Sequence, residues 1–306
     1  MYDIIVIGGG PAGLVAALYS RRANKSVLVI EKETFGGQIT FSPKVENIPG
    51  FNELTGSEFA EKLVDQVINQ GADFESAVVT GIRKGDFFTV ETDIGEFYAK
   101  SVIIATGAKH RRLGVRDEEK FVGDGISFCA VCDGAFYKDK IVGVVGGGNS
   151  ALQEAILLSD LAKRVYVIQN LSALTGEEQL QNQLKAKENV RILTEKTVYS
   201  FLGDKIFEGV VLRNEVEGEE NGELADLPLD GLFVAIGLIP QNEPFEDMVK
   251  LNGYGYIEAD ESCLTDMEGV FVAGDCRTKK IRQVTTAAAD GAVAAIAACD
   301  YVDKLN

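Results

Sequence analysis

The chain has 306 residues, 46% of them hydrophobic and 25% charged, enough to bury a sizeable core and to form two domains. Its formal net charge of -17 at pH 7 repels phosphates and argues against nucleic acid as a partner. No run approaches the roughly 18 consecutive apolar residues of a membrane span. The opening MYDIIVIGGG lacks the charged region and cleavage site of a signal peptide, so no membrane and a cytoplasmic location are expected.

From the N-terminus, residues 3–7 read as an apolar strand, followed by the loop GGGPAG, a helix beginning near Gly13, and a strand over 26–30 that ends in Glu31. The loop Gly8-Gly9-Gly10-Pro11-Ala12-Gly13 fits G-x-G-x-x-G in the strand-to-helix context that a dinucleotide site requires. Gly8 permits the tight turn, Gly10 lets the backbone approach a pyrophosphate, and Gly13 lets helix and strand pack closely. Glu31 is placed to accept hydrogen bonds from a ribose hydroxyl. A glycine-rich turn without a ligand is the alternative; strand, spacing and acidic residue together favour the dinucleotide.

Next, FFTVETDIGEFYAKSVIIATGA alternates like an antiparallel hairpin and feeds a strand over 101–105 into Thr106-Gly107. Cys129-Ala-Val-Cys132 follows, a spacing that can close into a small disulfide ring and store two electrons. Half a zinc site or two structural cysteines are the competing readings. There is no second CxxC, however, and the only histidine, His110, lies 19 residues upstream, so four zinc ligands are hard to assemble. Asp133, directly after the pair, is a candidate proton donor to a departing thiolate, or a turn residue before Gly134. Cys263, Cys276 and Cys299 are isolated and read as small packed hydrophobes.

A second strand–loop–helix–strand unit starts about 135 residues after the first: a strand over 141–145, GGGNSA, the helix ALQEAILLSDLA, and a strand ending at Ile168. Both are βαβ units with parallel strands. GLFVAIGLIP follows, then a buried strand within 269–275 running into Gly274-Asp275, and an Ala-rich helix over 285–298. The expected fold is α/β, with two interleaved Rossmann-like, three-layer dinucleotide-binding-type domains. The first takes residues 1–112 and 245–306; the second, 113–244, is inserted and carries the CxxC.

The chain resembles the low-molecular-weight flavoprotein thioredoxin reductases over essentially its whole length. The resemblance rests on GGGPAG, Gly36-Gly37-Gln38, Glu46-Asn47 with Pro49-Gly50-Phe51, Ala105-Thr106-Gly107, Cys129-Ala-Val-Cys132-Asp133-Gly134, GGGNSA, and Gly274-Asp275 with Arg282-Gln283. It implies FAD held by the first loop (Gly8, Gly10, Pro11, Ala12, Gly13), Glu31, Gly37, Gln38, Asn47, Ala105, Thr106, Gly107, Gly274, Asp275, Arg282 and Gln283. It also implies that Cys132 faces the flavin, that Cys129 exchanges with thioredoxin, and that the protein is a homodimer whose domains rotate during turnover.

One departure bears on the electron donor. Familiar members carry a basic HRRxxxR element after the second Gly-rich loop, where this chain reads Gln169-Asn170-Leu171-Ser172-Ala173-Leu174-Thr175. A neutral segment removes the arginines that meet a ribose 2′-phosphate, and Gln169 is not the acidic residue usual at NADH sites. GGGNSA then serves either a nucleotide or only a tight turn. Some flavoproteins that resemble thioredoxin reductases and lack the nicotinamide signatures take electrons from reduced ferredoxin. Two basic clusters, Lys109-His110-Arg111-Arg112 with Arg116, and Arg277, Lys279, Lys280 and Arg282, could receive such an acidic carrier, or be ordinary solvated loops. The expected activity is thioredoxin-disulfide reduction with ferredoxin as donor. The alternatives are NAD(P)H-dependent thioredoxin reduction and flavin-dependent disulfide oxidation.

Overall fold

Two runs of aliphatic residues, YDIIVI near the start and IVGVV in the middle, have no polar alternation, which is the pattern of strands covered on both faces. The structure, a computed structural model, describes residues 1–215 and 222–305. The chain opens with β1 (Tyr2–Ile7), α1 (Pro11–Arg22) and β2 (Val27–Glu31). Pro11 lies in the first turn of α1, where its missing N–H is no loss, and Arg21 and Arg22 lie in the last turn, where the helix dipole favours cations. A capping box between Thr55 and Glu58 starts α2 (Gly56–Asn69), which leads to β3 (Asp73–Ser76). β4 (Val79–Lys84), β5 (Phe88–Thr92), β6 (Gly95–Ile104) and β7 (Ala108–His110) follow.

The middle of the chain forms α3 (Glu118–Phe121), β8 (Ile126–Ser127), α4 (Ala130–Asp133), β9 (Ile141–Val145), α5 (Asn149–Ser159) and β10 (Arg164–Ile168). Then come α6 (Glu178–Lys185), β11 (Val190–Leu193), β12 (Lys196–Leu202), β13 (Gly209–Asn214), β14 (Leu224–Pro228) and β15 (Gly231–Val234). The chain ends with β16 (Leu238–Pro240), β17 (Val270–Val272) and α7 (Val284–Lys304). α7 runs beyond the expected 285–298 because Cys299 and Val302 continue its buried stripe.

The chain forms two units, Met1–Lys109 with Ile239–Asn306, and His110–Leu238. In the first, the parallel sheet runs β3-β2-β1-β6-β17. β6 serves two layers: Ser101 to Ile104 pair with β1 in the parallel sheet, while Gly95 to Ala99 pair antiparallel with β5, which pairs with β4. Alternation along β1 sorts the core. Ile4 and Val6 join Leu14, Val67, Ala294 and Ala298 on the helical side, and Ile5 and Ile7 join Val90, Ile104 and Phe245 on the other. The second unit repeats the plan, with a parallel sheet β11-β10-β9-β15-β8 and an antiparallel sheet β12-β13-β14. Helix, parallel sheet and antiparallel sheet make three layers in each unit, the Rossmann-like duplication expected from the two Gly-rich loops.

Candidate active site

In the first unit, β1 delivers the chain to the Gly-rich loop at the C-terminal edge of the sheet. Gly8 has φ +109° and its Cβ would lie 2.3 Å from the Ala105 carbonyl oxygen, so only glycine fits there. A Cβ on Gly13 would lie 1.9 Å from the Gly8 carbonyl oxygen, which ties helix to strand as closely as the fingerprint demands. Gly10 faces open space, its nearest neighbour being the Gly37 Cα at 3.9 Å from the Cβ position, and no side chain caps the N-terminus of α1. The Glu31 carboxylate accepts the Gly9 N–H at 2.7 Å and the Glu33 N–H at 2.8 Å, holding it at the loop.

Other expected cofactor residues gather in the same unit. Gln38 donates to the Ala108 carbonyl, Thr106 Oγ1 donates to Asn242 Oδ1 at 3.0 Å, and Asn47 donates to Gln283 Oε1 at 3.3 Å. Gln283 is also the N-cap of α7. Arg282 lies over the Tyr256 ring at 4.5 Å. Asp275 follows Gly274, and its Oδ1 is buried with no hydrogen-bond partner. Burial pushes its carboxyl above the ordinary carboxylate range against the pull of Lys279 and Arg282.

In the second Gly-rich loop Gly148, the counterpart of Gly10, is equally open, the nearest atom to its Cβ position being Thr175 Oγ1 at 3.9 Å, and the surrounding side chains differ. Gln169 is buried, and its side-chain amide lies 2.3 Å from where a Gly147 Cβ would stand while donating to the Ala173 carbonyl at 3.1 Å. The Gly147 carbonyl accepts from Thr175 and Gly176. At the first residue of α5, Asn149 donates to Glu177 Oε1 at 2.8 Å and accepts the Glu177 N–H at 2.7 Å. A carboxylate thus sits beside the helix N-terminus, where a pyrophosphate would need positive potential.

Cys129 and Cys132 are joined by a disulfide across the first turn of α4, with Cα atoms 5.3 Å apart. Cys132 is exposed and Cys129 half-buried. The Cys132 N–H meets Cys129 Sγ at 3.1 Å, and the Cys129 N–H donates to Ser127 Oγ at 3.1 Å. Ser127 in turn donates to Asp133 Oδ2 at 2.6 Å. Burial pushes the Asp133 carboxyl up, partly offset by Ser127. Two neighbours escaped the sequence reading. Ser127 carried no signal beyond standing two residues before the pair. Glu154, on the otherwise apolar face of α5, accepts the Ala130 N–H between the cysteines, and burial pushes its carboxyl up to about 7.

The two basic clusters are weaker than their sequence implies. Arg277 and Lys279 are buried against Asp290, at 2.9 Å and 2.8 Å, which leaves Lys280 and Arg282 in the second cluster. In the first, Lys109 pairs with Glu33 and Arg112 with Glu119. His110 stacks on Phe128 at 5.0 Å, and burial lowers its pKa to about 4, so it adds no charge near neutral pH. The correction is physical: a sequence run reveals cations and hides the carboxylates that other elements bring to them. Cys263, Cys276 and Cys299 are buried free thiols, and burial raises the pKa of each. Among the described residues no group of three His, Cys, Asp or Glu could hold a metal ion, and no helix is long and apolar enough to cross a membrane.

A Gly-rich strand-to-helix loop in each of two Rossmann-like units, with a two-cysteine turn in the second, defines a dinucleotide-dependent disulfide oxidoreductase. The chain belongs to the pyridine nucleotide-disulphide oxidoreductase family, whose model matches residues 2–291. It is 39% identical over 308 residues to the thioredoxin reductase of Bacillus subtilis, covering 100% of this chain and 96% of that one. It is 40% identical over 304 residues to a 34.2 kDa protein in a rubredoxin operon of Clostridium pasteurianum, covering 98% and 97%. The crystal structure of thioredoxin reductase from Streptococcus pyogenes superposes with a TM-score of 0.94 at 38% identity, covering 99% of both chains. Thioredoxin reductases of this family are FAD flavoproteins, and FAD is the cofactor of this chain. The first unit fits it: the open cradle at Gly10 and Gly37, the uncapped start of α1 and the orphaned Asp275 Oδ1 match a pyrophosphate and a hydroxyl-bearing chain.

Proposed function

We propose that the chain is a thioredoxin-disulfide reductase that receives its electrons from reduced ferredoxin rather than from NADPH. Bound FAD supplies two-electron reduction of the disulfide and can accept those electrons singly. The reading assigns FAD binding to the loop Gly8–Gly13 (Gly8, Gly10, Pro11, Ala12, Gly13), to Glu31, Gly37, Gln38, Asn47, Ala105, Thr106, Gly107, Gly274, Asp275, Arg282 and Gln283. In the reduced pair, the Cys129 thiolate attacks the thioredoxin disulfide, forming a mixed disulfide and releasing one thioredoxin sulfur. Cys132 then displaces the second, re-forming Cys129–Cys132. Asp133, held by Ser127, gives a proton to the leaving sulfur and recovers it from solvent.

The observation that carries the donor assignment is the neutral segment 169–175 after the second Gly-rich loop, with the Glu177 carboxylate bonded to Asn149 at the start of α5. The Glu177 carboxylate disfavours an anion there, and no arginine occupies 169–175 to meet a doubly charged 2′-phosphate. The relative from Clostridium pasteurianum is named for its place in a rubredoxin operon. Lys280 and Arg111 are exposed basic residues for an acidic carrier, and Arg116, paired with Asp117 at 3.7 Å, is a third at the surface. A cytoplasmic homodimer belongs to the same reading, and sedimentation of the holoenzyme tests the dimer.

The donor is tested anaerobically by mixing holoenzyme and thioredoxin with NADPH, NADH or photoreduced ferredoxin and following the visible flavin absorbance and thioredoxin thiols. Ferredoxin alone should bleach the flavin rapidly and reduce thioredoxin. Fast reduction by micromolar NADPH would overturn the donor assignment. Reoxidation of the flavin by air coupled to loss of thioredoxin thiols would favour a disulfide oxidase.

A further inference from the structure

α5 buries Ala151, Leu152, Ala155, Leu158 and Ser159, and the repeat of that stripe brings Glu154 to the side packed on α4. A carboxyl on such a face is costly unless it has work there. One contact is the Ala130 N–H, in the turn between Cys129 and Cys132. Its other oxygen, Oε2, is buried with no partner. No arginine, lysine or histidine approaches it: the influences on its ionisation are burial and the Ala130 N–H alone. The ionisable groups on the elements around α5 are Asp133 on α4, Tyr137 in the turn after it, Arg164 and Tyr166 on β10, and Glu178 and Lys185 on α6, and none of them perturbs it. β9 carries no ionisable side chain.

We propose that Glu154 is a positioning residue for the Cys129–Cys132 pair, fastening the Ala130 N–H to α5 and taking up a proton when the disulfide opens. This rests on Cys129–Cys132 being the working redox pair. With an external dithiol as reductant, the Sγ–Sγ bond breaks and the dithiol leaves as a cyclic disulfide. Of its two protons, one stays on one protein sulfur and the other goes to the Glu154 carboxylate, leaving the second sulfur as thiolate. A carboxylate one peptide away would repel that thiolate; a neutral acid does not. Asp133 is separately committed through Ser127, so the two carboxyls divide the work.

With its carboxyl pushed up to about 7, Glu154 is neutral in both redox states at lower pH and ionised in the disulfide state at higher pH. Without the carboxyl that second proton is released to solvent, so relative to such a protein reduction should become harder above neutrality by as much as tenfold per pH unit, the effect of one linked proton. The test equilibrates FAD-loaded wild type and Glu154→Gln in dithiothreitol redox buffers from about pH 5.5 to about pH 9, with the two cysteines trapped by alkylation. The ratio of wild-type to variant reduction constants should be flat at low pH and fall as pH rises through neutrality. Glu154→Asp, which keeps a carboxyl, should restore the dependence. A ratio flat across the range, with both proteins retaining FAD, would overturn the inference. Neither ferredoxin nor thioredoxin enters this equilibrium, so failure of the donor assay leaves it standing, and its own failure leaves thioredoxin reduction standing.

Discussion

Asp290 on α7 is the most heavily engaged carboxylate in the first unit. Its Oδ2 accepts from Arg277 Nε at 2.9 Å, Lys279 Nζ at 2.8 Å and the Gly274 N–H at 3.0 Å, and its Oδ1 accepts from Arg277 Nη2 at 2.9 Å. The Arg277 side chain is 1% exposed, that of Lys279 5% and that of Asp290 7%, so Asp290→Asn strands two buried cations whose remaining carboxylate, Glu261, is 90% exposed and reaches only Arg277. Removing one partner of a buried ionic group costs about 3–5 kcal/mol. For a unit of this size each kcal/mol lowers Tm by about 2–4 °C, so a fall on the order of 10 °C is expected. Because the Gly274 N–H bond sets the backbone just before Asp275, FAD should also be lost more readily on dilution. Thermal unfolding of the holoenzyme and flavin fluorescence of the filtrate measure the two effects. Arg277 and Lys279 hold the Asp290 carboxyl below its ordinary value, so its contribution is complete above the unfolded-state pKa and is lost as pH falls through the lowered folded-state value. A Tm within about 2 °C of wild type at neutral pH would refute the reasoning and mean that solvent neutralises these cations.

Three further outcomes follow from the same geometry. Cys132→Ser should retain FAD and accumulate a mixed disulfide between Cys129 and thioredoxin on non-reducing gels, whereas Cys129→Ser should form none; a stable adduct through Cys132 would reverse the assigned roles. Gly13→Ala places a methyl 1.9 Å from the Gly8 carbonyl oxygen and should yield protein without FAD, by absorbance, or no folded protein at all; a normally flavinated variant would contradict the packing. His110, with its pKa lowered to about 4 by burial, should show no titration of its ring protons by NMR between about pH 5.5 and about pH 8; a midpoint near the ordinary value would mean the stack on Phe128 opens to water.

The fold was legible in the sequence because its signals are local. An aliphatic strand, a glycine loop and an amphipathic helix recur in order, and no other arrangement satisfies both βαβ patterns. The disulfide is equally local, since only Cys129 and Cys132 stand within one turn of each other. What stayed hidden depends on residues distant in sequence. Arg277 and Lys279 read as a basic patch because Asp290 lies more than ten residues on, in α7, and only the packing of α7 brings it back. Glu154 stands beside Gln153 in ALQEAILL at the spacing of Ala151, Ala155 and Leu158, and nothing local shows it as the acceptor of Ala130. The departure at 169–175 was visible as missing arginines, whereas the way Gln169 fills the space over Gly147 was not.

The duplication explains how one scaffold carries two unlike tasks. In the first unit the Gly-rich loop is open at Gly10 and the start of α1 is uncapped, so the N-terminal end of the helix is what a cofactor meets. In the second, Gly148 is as open as Gly10 and the start of α5 is likewise uncapped, but Gln169 stands over Gly147 and the Asn149 side chain at the first residue of α5 is bonded to Glu177. α5 remains as well packed as α1, because Ala151, Leu152, Ala155 and Leu158 hold it on the sheet regardless of what its N-terminus binds. Glycine is required at 146 whatever the loop binds: a Cβ there, where φ is +131°, would meet the Ala235 carbonyl oxygen at 2.6 Å. The same helix delivers Glu154 to the turn that holds the cysteines. α5 thus makes two kinds of contact away from its N-terminus, its buried face on the sheet and Glu154 at the cysteine turn.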